Sequence, residues 1–177
     1  MRDIEDFKID LKSLNEDKTV KTFSLSDDFF EALDASEVRK GDLKVDLTIH
    51  RASNFFEFHF HTQGVVYVPC DLCLDDVELD IDSEDTLIVK LGDAYSEEDN
   101  HITVEEGEGI LDTSWFVYEF IVLNIPIKRV HLPGECNTTM IEVLNQHSAT
   151  RSGEGDGEET IDPRWSKLKE IKNNIKD

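Results

Sequence analysis

The strongest constraint on the fold is the strict alternation of apolar and polar residues in LKVDLTIH, residues 43–50. The stretch FFEFHFH repeats this pattern after the short polar link RASN. A period of two is typical of a strand with one buried face and one solvated face. The two strands and their short link therefore predict a β-hairpin.

Three further segments have strand character: GVVYVPC, VELDID and TLIVKL, which begin at Gly64, Val77 and Thr86. With the hairpin they predict an antiparallel meander of about five strands with one solvated face. An earlier segment, SLSDDFFEALDASEV, predicts a short helix capped by Ser26 or Asp27.

The hydrophobic period changes in LDTSWFVYEFIVLNIP, which predicts a helix that is capped by Asp112 and ends before Pro126. Glu119 is the only charge in its interior, so most of its circumference requires burial. We therefore predict an α+β fold. It comprises an antiparallel β meander or a partly closed barrel-like sheet, one main core helix packed on it, and a C-terminal basic helix.

The end of the chain differs in composition from the body. SATRSGEGDGEET is small, polar and rich in Gly and Glu, which is typical of a linker. In DPRWSKLKEIKNNIKD, Pro163 after Asp162 marks a helix start, and basic residues flank an apolar stripe. We predict an α+β domain over residues 1–147, an acidic flexible linker over 148–161 and a helical motif over 162–177.

The net charge of −22 arises from 40 acidic residues against 18 basic ones. Residues 71–112 contain 16 acids and one lysine, a net charge of −15, and include an expected acidic loop over residues 92–109. Such a surface repels phosphate backbones, which argues against tight nonspecific binding of DNA or RNA. A basic protein, a metal ion or a cationic patch on an assembly is the better electrostatic partner. The alternative is that the charge only maintains solubility.

No apolar run approaches the roughly 18 residues that a membrane span needs, and the N-terminal stretch MRDIEDFKIDLKSLNEDK has no apolar signal core. Three cysteines make a poor disulfide framework. We therefore expect a cytoplasmic protein with no membrane partner.

Two of the cysteines form the motif Cys70-Asp-Leu-Cys73 at the end of a predicted strand. Two cysteines with this spacing can bind one zinc ion, and His131 with Cys136 would complete a Cys3His site. However, 57 residues separate Cys73 from His131, more than in compact zinc ribbons. Two alternatives remain open: buried cysteines without a metal, or a redox pair, which nearby acids disfavour because they raise thiol pKa values.

A second set of possible metal ligands, Glu57, His59 and His61, shares one face of a predicted strand. A solvated sheet face explains these residues equally well, and we favour that interpretation. The sequence contains no phosphate-binding glycine loop, no nucleophile elbow and no HExxH motif, and no catalytic constellation is visible.

The order of these motifs resembles the YceD family, the large ribosomal RNA subunit accumulation proteins of bacteria and plastids. The resemblance covers roughly residues 40–172 and is most specific in the closing motif DPRWSKL. The family pattern has Leu where Ile125 stands, and the spacing from His131 to Cys136 is looser than in many relatives. The matching residues are Cys70, Cys73, Leu74, Ile125, Pro126, His131, Cys136, Asp162, Pro163, Arg164, Trp165 and Leu168.

The resemblance implies a noncatalytic role in ribosome biogenesis that supports accumulation or processing of the large-subunit (23S) rRNA. The charge suggests binding to a basic ribosomal protein or a large-subunit assembly intermediate, with weak or indirect contact to rRNA. The residues expected to bind the partner are Asp75, Asp76, Glu78, Asp80, Asp82, Arg164, Trp165 and Leu168.

Two other functions remain open. The first is a metal-dependent ribonuclease acting on rRNA precursors, in which Asp75, Asp76 and Glu78 would gather with Glu57 around Mg²⁺. The second is a zinc-responsive or redox-responsive binding module built on Cys70 and Cys73.

Overall fold

The computed structural model describes residues 4–148. Strands and helices confirm the predicted α+β class. The strands are β1 (Lys8–Asp10), β2 (Lys18–Leu25), β3 (Lys40–Arg51), β4 (Phe56–Pro69), β5 (Asp76–Gly92), β6 (Ser96–Glu98), β7 (His101–Glu105) and β8 (Ile110–Asp112). The helices are α1 (Asp27–Ala32), α2 (Ser114–Leu123) and α3 (Thr138–His147), with short 3-10 helices at Ile4–Phe7 and Leu11–Ser13. The predicted C-terminal helix, and the predicted linker beyond Ser148, lie outside the described residues.

The sheet has six strands in the order β2-β3-β4-β5-β7-β6, while β1 and β8 form a separate antiparallel pair. The predicted hairpin is confirmed, because β3 and β4 pair antiparallel with Leu47 opposite Phe60. The antiparallel meander holds from β2 to β5 only. β5 pairs with β7 in parallel, with Ile88 opposite His101, so the sheet is mixed and is not a closed barrel.

Two strands are longer than the hydrophobic pattern predicted. β4 continues through Gly64, where φ is 146° and an added Cβ would collide with the backbone of Asp42 on β3. Only glycine allows the two strands to approach this closely. The separately predicted strands VELDID and TLIVKL are parts of one strand, because residues 83–85 remain paired with β4.

The acidic stretch over residues 92–109 is not simply a loop, since it contains β6 and β7. In β7, Ile102 and Val104 are buried while the flanking residues face outward. This alternation is typical of a strand, but the many acidic residues around it led to the prediction of a loop.

Helix α2 has one residue fewer at its start than predicted, because Thr113 and not Asp112 is the N-cap. The Asp112 carboxylate nevertheless accepts hydrogen bonds from the backbone N–H and the hydroxyl of Ser114.

Burial of a large apolar side chain contributes about 1.5–3 kcal/mol. On α2 the ring of Phe120 lies 5.3 Å from that of Phe60 on β4, measured between centroids. The helix thus packs against the apolar face of the sheet.

Neither α2 nor α3 exceeds ten residues. Within the described part of the chain, no helix has the length and apolar character needed to cross a membrane.

Candidate metal centre

The four residues of the predicted Cys3His set come together in the structure. Cys70 and Cys73 lie in the turn between β4 and β5, whereas His131 and Cys136 lie between α2 and α3. Their ligand atoms all lie within 4.8 Å of one another. The tertiary fold therefore closes the sequence gap that separates the two halves of the set.

The distances within the cluster match those of a tetrahedral metal site. Two sulfur ligands of one zinc ion lie about 3.8 Å apart, and a sulfur and a nitrogen ligand about 3.6 Å apart. The sulfurs of Cys70 and Cys136 are 3.9 Å apart. The Nδ1 atom of His131 lies 3.4 Å from the sulfur of Cys73 and 3.9 Å from that of Cys136. The four side chains fit one tetrahedral cation.

A tight turn directs the Cys70 and Cys73 thiols to the same side. The N–H of Cys70 donates to the carbonyl of Asp75 over 2.8 Å, and the N–H of Leu74 donates to the carbonyl of Cys70 over 3.0 Å. Leu74 adopts a φ of 65°, a left-handed conformation that is unusual for a leucine. The two spacer residues thus reverse the chain between the two sulfurs.

The second half of the cluster is fixed to the first by hydrogen bonds. Asp71 and Arg129 exchange two of them: the N–H of Asp71 donates to the Arg129 carbonyl over 2.7 Å. In return, the N–H of Arg129 donates to the Asp71 carboxylate over 2.8 Å. The Nε2–H of His131 donates to the carbonyl of Asp76 over 3.1 Å, which leaves Nδ1 free as a ligand. Such a bond orients the imidazole ligand of many metal sites.

The surroundings of the cluster shift the pKa values of two of its thiols in opposite directions. Burial opposes ionisation of Cys70, yet hydrogen bonds from the backbone N–H groups of Cys73 and Leu72 lower its pKa to about 6. Burial and the neighbouring thiols instead raise the pKa of Cys136 to about 11. The hydrogen bond with Cys70 raises the pKa of His131.

The pKa of Cys70 is thus lowered and not raised as expected, because hydrogen bonds from local N–H groups outweigh the effect of burial. A low thiol pKa suits both a metal ligand and a redox cysteine. The pKa of Cys70 therefore does not separate the metal interpretation from the redox interpretation. The geometry favours a metal, since all four ligand atoms converge.

The family model for the large ribosomal RNA subunit accumulation protein YceD matches residues 58–172. The chain belongs to the YceD family. The match begins within β4 and includes all four residues of the Cys3His cluster, whereas β1, β2, β3 and α1 precede it. No curated protein and no solved structure matches the chain at a significant level.

In this YceD-family chain, the acids predicted to bind a partner lie mainly on one strand. Asp75 is in the turn before β5, and the others share the solvent face of β5 with Glu84, which the sequence analysis missed. We call this set the acidic row; its members are Asp76, Glu78, Asp80, Asp82 and Glu84. Arg164, Trp165 and Leu168 lie outside the described residues.

Within residues 4–148, few side chains that can carry a positive charge contact the acidic row. Lys40 lies 2.7 Å from the Asp76 carboxylate, and His61 lies 3.1 Å from that of Asp82. The Tyr67 hydroxyl donates to Glu78 over 3.0 Å. The row therefore keeps most of its negative charge and presents it to solvent.

The carboxylate cluster required by the ribonuclease hypothesis is not formed. Glu57 lies opposite Ile88, whereas Glu78 lies opposite Tyr67, ten positions further along β4. Ten residues of strand extend about 33 Å, so Glu57 is remote from the start of β5. The alternative in which Glu57 gathers with Asp75, Asp76 and Glu78 therefore does not agree with the structure.

The second set of possible metal ligands forms only pairwise contacts on the solvent face of β4. His59 lies 3.7 Å from Glu57, and His61 contacts Asp82. Among residues 4–148, the Cys3His cluster is the one group of three or more such side chains that could bind a metal. The solvated-face interpretation of Glu57, His59 and His61 therefore agrees with the structure.

Proposed function

We propose that this chain is a noncatalytic biogenesis factor of the large ribosomal subunit, and that it binds a basic ribosomal protein of that subunit through the acidic row. Membership of a family named for accumulation of the large ribosomal RNA supports the biogenesis role. The observation that carries the binding step is the set of five exposed carboxylates on one strand face.

The acidic row suits a cationic protein better than RNA. Its carboxylates recur every second residue, about 6.6 Å apart, which matches Lys or Arg side chains on an extended segment. Opposite charges accelerate encounter and impose a strong dependence on salt. Phosphate groups are repelled by the same surface, so contact with rRNA is weak or passes through the bound protein.

An affinity purification from the native host at increasing salt tests this function. We expect basic large-subunit ribosomal proteins to be retained at low ionic strength and to be released as salt rises. If no ribosomal protein is retained even at low ionic strength, the proposed function is wrong. Treating the lysate with ribonuclease before capture distinguishes direct protein contact from bridging by rRNA.

We also propose that the Cys3His cluster binds zinc as a structural element. A zinc ion supplies positive charge that stabilises thiolates, and it would join the turn after β4 to the segment before α3. The convergence of four ligand atoms supports this proposal. Elemental analysis of protein purified without chelator tests it: one zinc per chain is expected, and a sub-stoichiometric content would contradict it.

A zinc-responsive or redox-responsive binding module is the second candidate. It is favoured by the proximity of two thiols, since the sulfurs of Cys70 and Cys136 lie 3.9 Å apart. Mild oxidation of the zinc-free chain, followed by mass mapping of any disulfide and a repeat of the affinity purification, tests this candidate. A response module requires that oxidation changes partner retention, whereas a purely structural site does not.

A further inference from the structure

One edge of β5 is open over most of its length. β4 pairs with residues 76–89 along one edge, but β7 pairs with the other edge only from Ile88 to Gly92. In the described part of the chain, no strand pairs with that second edge over residues 76–87. An open edge presents unpaired N–H and C=O groups that can pair with another chain.

The direction of these backbone groups follows from the two ends of the open section. The N–H of Ile88 donates across the open edge to the Asn100 carbonyl over 2.8 Å, and the Asp76 carbonyl accepts from His131. The β4–β5 register is continuous between them. In an antiparallel ladder, backbone groups alternate between the two edges. The even-numbered residues from Glu78 to Thr86 therefore direct their N–H and C=O groups toward the open edge.

Most of these residues are members of the acidic row. Glu78, Asp80, Asp82 and Glu84 thus combine outward backbone groups with exposed carboxylates. A strand added to this edge would make backbone hydrogen bonds while its side chains on the solvent face lie beside the carboxylates. Two copies of β5 would bring like charges together, which disfavours self-association through this edge.

We propose that the open edge of β5 binds an extended basic segment of the partner protein by β-strand addition. Lys or Arg side chains at alternate positions of that segment would lie beside the acidic row. This inference rests on the proposed binding of a basic ribosomal protein, and it specifies the part of that protein that is recognised. Charge complementarity favours a basic segment, and the backbone hydrogen bonds hold that segment in an extended conformation.

A labelled peptide of about ten residues that alternates Lys and Thr matches the length of the open edge and serves as the probe. Its binding to the full chain is measured by fluorescence anisotropy at low ionic strength. The control peptide has the same sequence with N-methylated backbone amides, so it keeps the charge but cannot donate backbone hydrogen bonds. We expect the control peptide to bind about tenfold more weakly or worse.

Two variants at one position separate the contribution of the backbone N–H to peptide binding from that of the side-chain charge. Asp80→Asn removes the charge, whereas Asp80→Pro also removes the outward N–H without breaking a bond to β4. We expect Asp80→Pro to weaken peptide binding about fivefold beyond the effect of Asp80→Asn. Amide hydrogen exchange should slow at Asp82 and Glu84 when the peptide binds. If Asp80→Pro does not fold, the comparison of the two peptides alone tests whether backbone hydrogen bonds contribute to binding.

Equal binding of the two peptides, or no binding of the unmodified peptide, would overturn the inference. Retention of ribosomal proteins in the affinity purification alongside either result would leave the proposed function standing. If the affinity purification retains no ribosomal protein, the proposed function is wrong as well.

Discussion

The imidazole Nδ1 of His131 lies 3.4 Å from the sulfur of Cys73, although the two residues are 58 positions apart in the chain. Helix α2 and the segment after it return the chain to the turn between β4 and β5. The Cys3His cluster thus links the end of the first strand of the family-matched region to the segment that precedes α3. An ion bound there would join these two parts of the fold in addition to the hydrogen bonds between them.

Cys73→Ser is expected to abolish zinc binding and to destabilise the chain. Three remaining ligands leave a buried centre incomplete, and loss of a metal is among the few single changes that cost about 4 kcal/mol or more. Zinc content by mass spectrometry and urea denaturation measure the two effects. His59→Ala on the solvent face is the matched control, and it should retain zinc and stability. Equal stability of Cys73→Ser and the parent chain would contradict a structural zinc site.

The zinc-free chain is expected to contain a thiolate at neutral pH. The pKa of Cys70 is lowered to about 6, below the usual thiol value, so its thiolate persists at pH 7 and is lost as the pH falls through about 6. Thiolate absorbance near 240 nm during a pH titration reports this change. Cys70→Ser should remove the transition, whereas Cys136→Ser should preserve it.

Removing two charges from the acidic row is expected to weaken retention of the ribosomal protein. Asp80→Asn combined with Asp82→Asn removes two carboxylates beside each other on β5, at about 0.2–1 kcal/mol for each lost opposite-charge pair. The partner should elute at lower salt. Glu106→Gln combined with Glu108→Gln removes the same charge from an exposed turn and is the matched control. Equal effects of both double variants would show that net charge, and not the acidic row, governs binding.

Gly64→Ala is expected to lower the free energy of unfolding by about 3 kcal/mol or more, because the added Cβ meets the backbone of Asp42 and Leu43. Gly107→Ala is the control, since its Cβ would make only an ordinary contact 3.5 Å from Glu105. The control should change stability by less than about 0.5 kcal/mol. Urea denaturation of both variants measures the difference. A tolerated alanine at position 64 would mean that β3 and β4 can separate without cost.

The sequence alone determined several of the local elements of this protein. The period of two predicted the β3–β4 hairpin, and the change of period before Pro126 predicted α2, because each pattern is read within one segment. The cysteine pair, together with His131 and Cys136, predicted the members of the Cys3His cluster. The closing motif and the cysteine pair together indicated the family, which the match over residues 58–172 confirmed.

Only the tertiary structure decided which distant segments meet. No local pattern indicates that β7 pairs in parallel with β5, that one edge of β5 remains open, or that Glu57 lies far from Glu78. The approach of His131 to Cys73 depends on how α2 packs on the sheet, and the low pKa of Cys70 depends on N–H groups that the turn directs at its sulfur. Hydrophobic periodicity specifies which face of a segment is buried, but the partner of that face is selected by packing of the whole chain.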